Sequence, residues 1–182
     1  MMGQTKYVMS GGLAFDEEKD MKKLEQLARE GWIFDRFAFM GYRLRKAEAK
    51  DIQYSLDYRK DADLDYFAYF KEAGWKHEGT AENYIHIFSA PPGTAPIYTD
   101  SDSLVEKYSS EKSRMGKGAL IMLVATLSIM AALWVISYFS LFSHIEGTVN
   151  AIMSILFIFS LIGLVFTFMP YLGYVYKLNK LK

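Results

Sequence analysis

Gly118–Phe142 reads GALIMLVATLSIMAALWVISYFSLF, 25 residues without an Asp, Glu, Lys or Arg. As a helix this run is about 37 Å long, enough to cross a hydrocarbon core of about 30 Å with some tilt. A second charge-free run, Val149–Tyr176, follows after the short segment Ser143–Thr148. A chain of 182 residues has too little other apolar surface to bury two such rods, so a bilayer is the solvent that explains them. The pattern predicts a transmembrane helical hairpin over residues 118–178, a multi-pass membrane protein with two spans.

The flanks predict its orientation. Lys112, Arg114 and Lys117 precede the first span and Lys177, Lys180 and Lys182 follow the second, whereas the connecting segment has no Lys or Arg. The positive-inside rule then puts both termini in the cytoplasm, at the cell membrane. Aromatic residues match the two interfaces: Tyr138, Phe139 and Phe142 at the outer end, Tyr171, Tyr174 and Tyr176 at the inner end. Pro170 is expected to bend the second helix. Ala125, Ser128 and Ala132 form a candidate helix-packing face. Neither span contains an ionisable residue, which argues against autonomous ion or substrate transport. Met1–Lys6 lacks an apolar core, so no cleavable signal peptide is expected.

Over the whole chain 21 basic residues balance 21 acidic ones, and 51% of residues are hydrophobic. Nearly all the charge lies in the first 117 residues and the tail, so two physical regimes share one chain. Cysteine is absent, which excludes a disulfide scaffold, a Cys-ligated zinc or iron–sulfur site, a thiol nucleophile and palmitoylation.

Residues 1–90 contain an internal repeat and are expected to form a cytoplasmic domain. The first copy is a strand Lys6–Met9, a helix from about Asp16 to Glu30, Gly31-Trp32, a strand through Phe39, a turn at Gly41 and a strand Tyr42–Lys46. The second is a strand Ile52–Arg59, a helix from about Asp63 to Ala73, Gly74-Trp75, and strands Lys76–Glu78 and Tyr84–Phe88. Met21, Leu24, Leu27 and Ala28 recur at helical spacing, with Asp16 or a neighbour as cap; Leu64 and Phe67 begin the buried stripe of the second helix. Gly31 and Gly74 suit the left-handed residue that ends a helix. Tyr54, Leu56 and Tyr58 alternate with polar residues, which predicts a one-sided antiparallel strand. The expected class is α+β: a ferredoxin-like antiparallel sheet with two helices on one face, joined to the hairpin. Trp32 and Trp75 are read as structural corners that cover the helix ends. Residues 91–117 are expected to be a linker, Pro91–Pro96, followed by a helical stalk from Asp100 with Leu104, Val105 and Tyr108 on one side.

The run Ala28-Arg29-Glu30-Gly31-Trp32, Gly41-Tyr42-Arg43-Leu44, Tyr54–Arg59, Tyr66…Phe70…Ala73-Gly74-Trp75 and Tyr84…Phe88 resembles a bacterial domain-of-unknown-function family. Its members pair a Gly-Trp-repeat cytoplasmic α+β domain with C-terminal transmembrane helices and are often encoded beside PadR-type repressors. The resemblance implies fold and membrane attachment, and brings no catalytic residues.

Reactive constellations are sparse. His77, His86 and His144 are the histidines, and His77 and His86 fall on adjacent strands near Glu78 and Glu82, without a recognised zinc spacing. Ser55 and Ser89 lack a nucleophile elbow, and Ser10-Gly11-Gly12 lacks a phosphate-cradle spacing, so it reads as a flexible link. Asp57, Asp61, Asp63 and Asp65 gather at a helix start, where acids favour the positive end of the dipole. Residues 1–110 carry 15 Lys and Arg against 19 Asp and Glu, which disfavours nucleic acid. Arg43, Arg45, Lys46 and Lys50 form a basic stretch, read as a solvated strand edge or a contact for anionic lipid heads. No catalytic residue, metal site or cofactor is therefore expected, and no enzyme. The expected function is a membrane-anchored cytoplasmic binding or regulatory module whose partners are the lipid bilayer and a membrane or cytoplasmic protein. The alternative is an accessory subunit of an export or self-protection system, which loses activity when its hairpin is exchanged for an unrelated one.

Overall fold

The computed structural model describes residues 4–98, 101–139 and 146–181. Phe142, His144, Lys182, Asp100 and most of the segment between the spans lie outside the described residues, as does the start of the chain at 1–3. The chain forms two compact units, Met1–Leu104 and Val105–Lys182.

The first unit is α+β. Its elements are β1 (Thr5–Met9), α1 (Leu13–Arg29), β2 (Trp32–Ala38), β3 (Gly41–Lys46), β4 (Gln53–Tyr58), α2 (Leu64–Glu72), β5 (Lys76–Ala81) and β6 (Ile85–Ala90). They build two antiparallel three-stranded sheets of equivalent order, β1-β3-β2 and β4-β6-β5. The duplication extends to detail. Each helix is followed by a glycine at positive φ, Gly31 at 82° and Gly74 at 87°. Each next strand then shifts register, between Phe34 and Arg36 in β2 and between His77 and Gly79 in β5. A bulge three residues past each tryptophan strengthens the local twist at the same point of both copies.

The main core joins both sheets to α1. Met21, Leu24, Leu27 and Ala28 of α1 meet Val8, Phe34, Tyr42 and Leu44 of the first sheet and Tyr54, Leu56 and Ile87 of the second. A second cluster, Phe70, Trp75, Phe88 and Ala90, lies under α2. Ile87 and Phe88 are neighbours on β6, so their side chains leave the sheet on opposite faces. The two helices therefore cover opposite faces of the second sheet, whereas the sequence suggested one face. As a result the second sheet has no open polar side: Asp57, on the face expected to be solvated, is buried. Leu64 also departs from expectation. It is 86% exposed, and the buried face of α2 is Tyr66, Phe67 and Phe70. A nine-residue helix turns only one narrow stripe inward, here the one that packs on Phe88 and Trp75, while Asp63 caps its first turn by accepting from the Tyr66 N–H.

Gly41 is held by close packing. A Cβ there would lie 2.3 Å from the Val8 carbonyl oxygen, an atom of the paired strand β1 that cannot swing away. Gly41→Ala is expected to cost about 1–3 kcal/mol through overpacking, seen as faster amide exchange of β1 in the intact chain. Unchanged exchange in β1 would contradict this.

The second unit is a helical hairpin. α3 runs Ser101–Tyr138, so stalk and first apolar run are one continuous helix, and α4 runs Glu146–Leu181 through Pro170. Both are long and apolar enough to cross a membrane. Their packing face uses small and hydroxylated residues. A Cβ on Gly116 would touch Tyr171, one on Gly118 would touch Thr167, and one on Gly163 would meet Met122. The Thr126 and Ser160 hydroxyls meet at 3.1 Å, each also 2.8 Å from a carbonyl of its own helix. Ser128 is exposed instead, because it stands about 200° around the helix from Thr126. Replacing both Thr126 and Ser160 by valine is expected to lower hairpin stability by about 0.6 kcal/mol of pair coupling, read from a double-mutant cycle in detergent.

Candidate functional site

The chemistry-bearing side chains of the first unit collect on the α2-facing side of the second sheet. Asp57 on β4 and His86 on β6 are direct cross-strand partners, 8% and 1% exposed. The Asp57 carboxylate accepts from two phenols. Tyr66, on α2, donates to Oδ2 at 2.7 Å, and Tyr98, beyond the last strand, donates to Oδ1. Burial, and then the Asp57 charge, pushes both phenols well above the ordinary tyrosine range, so both stay protonated donors.

A second chain of hydrogen bonds runs beside the first. His86 Nε2 lies 2.8 Å from the Arg59 carbonyl, which only accepts, so that nitrogen holds the proton. His86 Nδ1 then accepts from the Thr80 hydroxyl at 2.9 Å, and Thr80 accepts from His77 Nε2–H at 3.0 Å. The aromatic rings of Tyr66 and Phe67 lie 5.4 Å from the His86 ring, and Phe67 lies 4.5 Å from His77. Burial, followed by the neighbouring His86, lowers the His77 pKa. The folded state thus resists protonation that the unfolded chain accepts at about pH 6.5. Stability is complete above that value and declines as pH falls through it. Amide exchange in β5 and β6 is expected to quicken between pH 7.5 and 5.5 (after correction for intrinsic rates), and His77→Gln to flatten that dependence. A pH profile identical in wild type and variant would refute the assignment.

This row fastens chain that the sequence marked as linker. Trp75 Nε1–H donates to the Ala95 carbonyl at 3.0 Å, Gln53 Nε2 donates to Thr94 at 2.8 Å, and Ile97 packs on the cluster under α2. Pro91–Tyr98 is therefore strapped across the second sheet by Trp75, Gln53 and Asp57. The tryptophans of the two Gly-Trp corners differ accordingly. Trp75 is 4% exposed, whereas Trp32 is half-buried with the Lys46 ammonium 4.8 Å from its ring.

A smaller polar cluster holds the start of α1. Asp20 accepts from the Ser10 hydroxyl, from the Gly11 N–H at 3.0 Å and from the Tyr42 hydroxyl at 3.0 Å. Gly11-Gly12 is thus pinned by a carboxylate rather than free, and Asp16, expected to cap, sits at a non-helical kink. Glu17 accepts from Tyr58 at 3.0 Å. The spacing of Glu17 and Asp20 with Met21 and Leu24 places them on the apolar stripe, a signal of burial already present in the sequence.

The remaining candidates disperse. Asp63 caps α2, Asp65 lies in its exposed first turn, and Asp61 accepts from Asn83. Asp57 alone of the four is buried. Ser89 donates to Glu78 at 2.7 Å, and Ser55 lies opposite Phe88. Arg43 and Arg45 lie on β3, the middle strand of the first sheet, so the strand-edge reading is incorrect; neighbours pair with it on both sides. Among the described residues, no group of three or more His, Asp or Glu is arranged to hold a metal ion.

No curated protein and no solved structure matches the chain. A family model described as a protein of unknown function, DUF2812, matches residues 16–120. That match runs from within α1 through β2–β6, the strapped segment and the stalk into the first apolar run, leaves out β1, and covers more than half of the chain. The protein is a member of the DUF2812 family.

Proposed function

We propose that the protein is a membrane-anchored cytoplasmic module that binds a partner and regulates, without catalysis of its own. The supporting observation is the hairpin's register. Gly116 faces Tyr171 and Gly118 faces Thr167, which brings the basic flanks of both helices to one end. There the Lys177 ammonium lies 4.7 Å from the Tyr108 ring. A shared basic end favours the cytoplasmic side of the cell membrane for both flanks. The buried polar row supports a binding role over a chemical one, since its donors and acceptors serve to hold α2 and Pro91–Tyr98 in place.

The test is a pair of reporters. A fluorescent protein fused after Lys182 is expected to fluoresce, alkaline phosphatase at the same point to be inactive, and the chain to resist alkaline carbonate extraction. An active phosphatase would overturn the orientation, and extraction into the supernatant would overturn the anchor. The regulatory part predicts a stoichiometric protein partner after mild solubilisation and a PadR-type repressor gene nearby; a partner-free monomer from an isolated gene would count against it.

A further inference from the structure

The outer face of the first sheet is positively charged and is open at Tyr7, Arg36 and Arg45, whereas Ile33, the β2 partner of Arg45, is buried on it. Cross-strand pairing places Tyr7, Arg43 and Arg36 in one row and Thr5 and Arg45 in the next, all on the face away from α1. Arg36 and Arg45 are exposed and Arg43 is half-exposed. Among the described residues, the carboxylate bonded to this group is Asp35, 3.2 Å from Arg36. The charge is unevenly shared between the copies: residues 1–50 carry ten Lys and Arg against eight Asp and Glu, residues 51–98 four against eight.

Apolar groups border the same face. Met9 is 62% exposed, and at the β2–β3 tip Phe39 is 86% and Met40 54% exposed. The tip is held over the sheet, since the Tyr7 hydroxyl donates to the Phe39 carbonyl at 2.9 Å. Guanidinium groups beside protruding aromatic and thioether side chains match an interface with phosphate outside and acyl chain within.

We propose that this face docks on an anionic phospholipid bilayer. The proposal deepens the anchored-module reading, because a tether keeps the domain at high local concentration beside lipid. Reach is sufficient: residues 101–117 form about 25 Å of helix before the charge-free run, and a domain of this size is about 35 Å across. The attraction to an anionic leaflet is worth about 1 kcal/mol per arginine, a factor of about five in the ratio of docked to free domain.

The chain has no cysteine, so single labels are unambiguous. Full-length protein carrying a fluorophore at Thr5→Cys, on the basic face, or at Glu72→Cys, on exposed α2, is placed in nanodiscs of phosphatidylcholine. Matched discs contain about one-third phosphatidylglycerol, an anionic surface of the kind that attracts basic clusters. Iodide access at position 5 is expected to fall in anionic discs and recover in high salt, while position 72 stays open. Each Arg→Gln at 36, 43 or 45 is expected to lower the docked-to-free ratio about fivefold, and the triple Arg→Lys variant to keep it. Equal access in both discs, or failure of the lysine variant with the fold intact, overturns the proposal. Protection that disappears when a co-purified protein is stripped assigns the face to that protein instead. A chain that washes off neutral discs yet stays on anionic ones through these arginines overturns the anchor and keeps the docking.

Discussion

Leu56→Ala is expected to destabilise the first unit by about 2–5 kcal/mol, the range for emptying a fully packed leucine site. Leu56 is 0% exposed and belongs to the cluster in which α1 meets strands of both sheets. The cavity would open where the two copies share one core, so neither could close over it alone. Urea titration of the full chain in detergent, with Trp134→Phe and one of Trp32 or Trp75 retained at a time, should show an early and concerted loss of both signals. A variant in which only one tryptophan responds would mean that the copies are separately stable. Leu56→Met, close in volume, should lose less than about 1.5 kcal/mol.

Asp57→Ala is expected to release Pro91–Tyr98 and α2 together. The substitution removes the acceptor shared by Tyr66 and Tyr98. Hydrogen bonds to a charged partner contribute about 1.5–3 kcal/mol each, and unpaired buried hydroxyls carry a further penalty. Relief from burying a carboxylate offsets part of this, so a net loss of about 2–4 kcal/mol is expected, concentrated on one face. Asp57→Asn should cost less, because its carbonyl still accepts from one phenol. Tyr98→Phe should free the strap and leave α2 in place, which separates the two bonds. Limited proteolysis reads the result directly: cleavage at residues 91–98 should appear in Asp57→Ala and Tyr98→Phe but not in wild type. Protease resistance retained in Asp57→Ala would show that Trp75, Gln53 and Ile97 hold the strap unaided.

The strap bears on the proposed regulation. Tyr98 is the last described residue before α3 begins at Ser101. A ligand that loosens α2 would act on Asp57, and through it on the chain that leads into the first candidate span.

Much of this architecture was legible in local pattern. Charge-free length marked the two long helices, period-two and helical spacing located the strands and α1, and Gly31-Trp32 and Gly74-Trp75 revealed the duplication. Leu64 misled because a short helix with apolar residues on several sides has no unique inward face until something packs on it. Asp57 departs for a related reason: alternation in a strand says which residues share a face, not whether that face meets solvent or another element.

What the sequence determined by itself follows from interactions between near neighbours and from partition between water and lipid, which depend only on composition and spacing. The opposite-face placement of the two helices, the shared core at Leu56 and the meeting of Tyr66 and Tyr98 on Asp57 were decided by tertiary structure. The Tyr98–Asp57 bond joins residues 41 positions apart, and chain entropy leaves such pairings undetermined until the whole core closes around them.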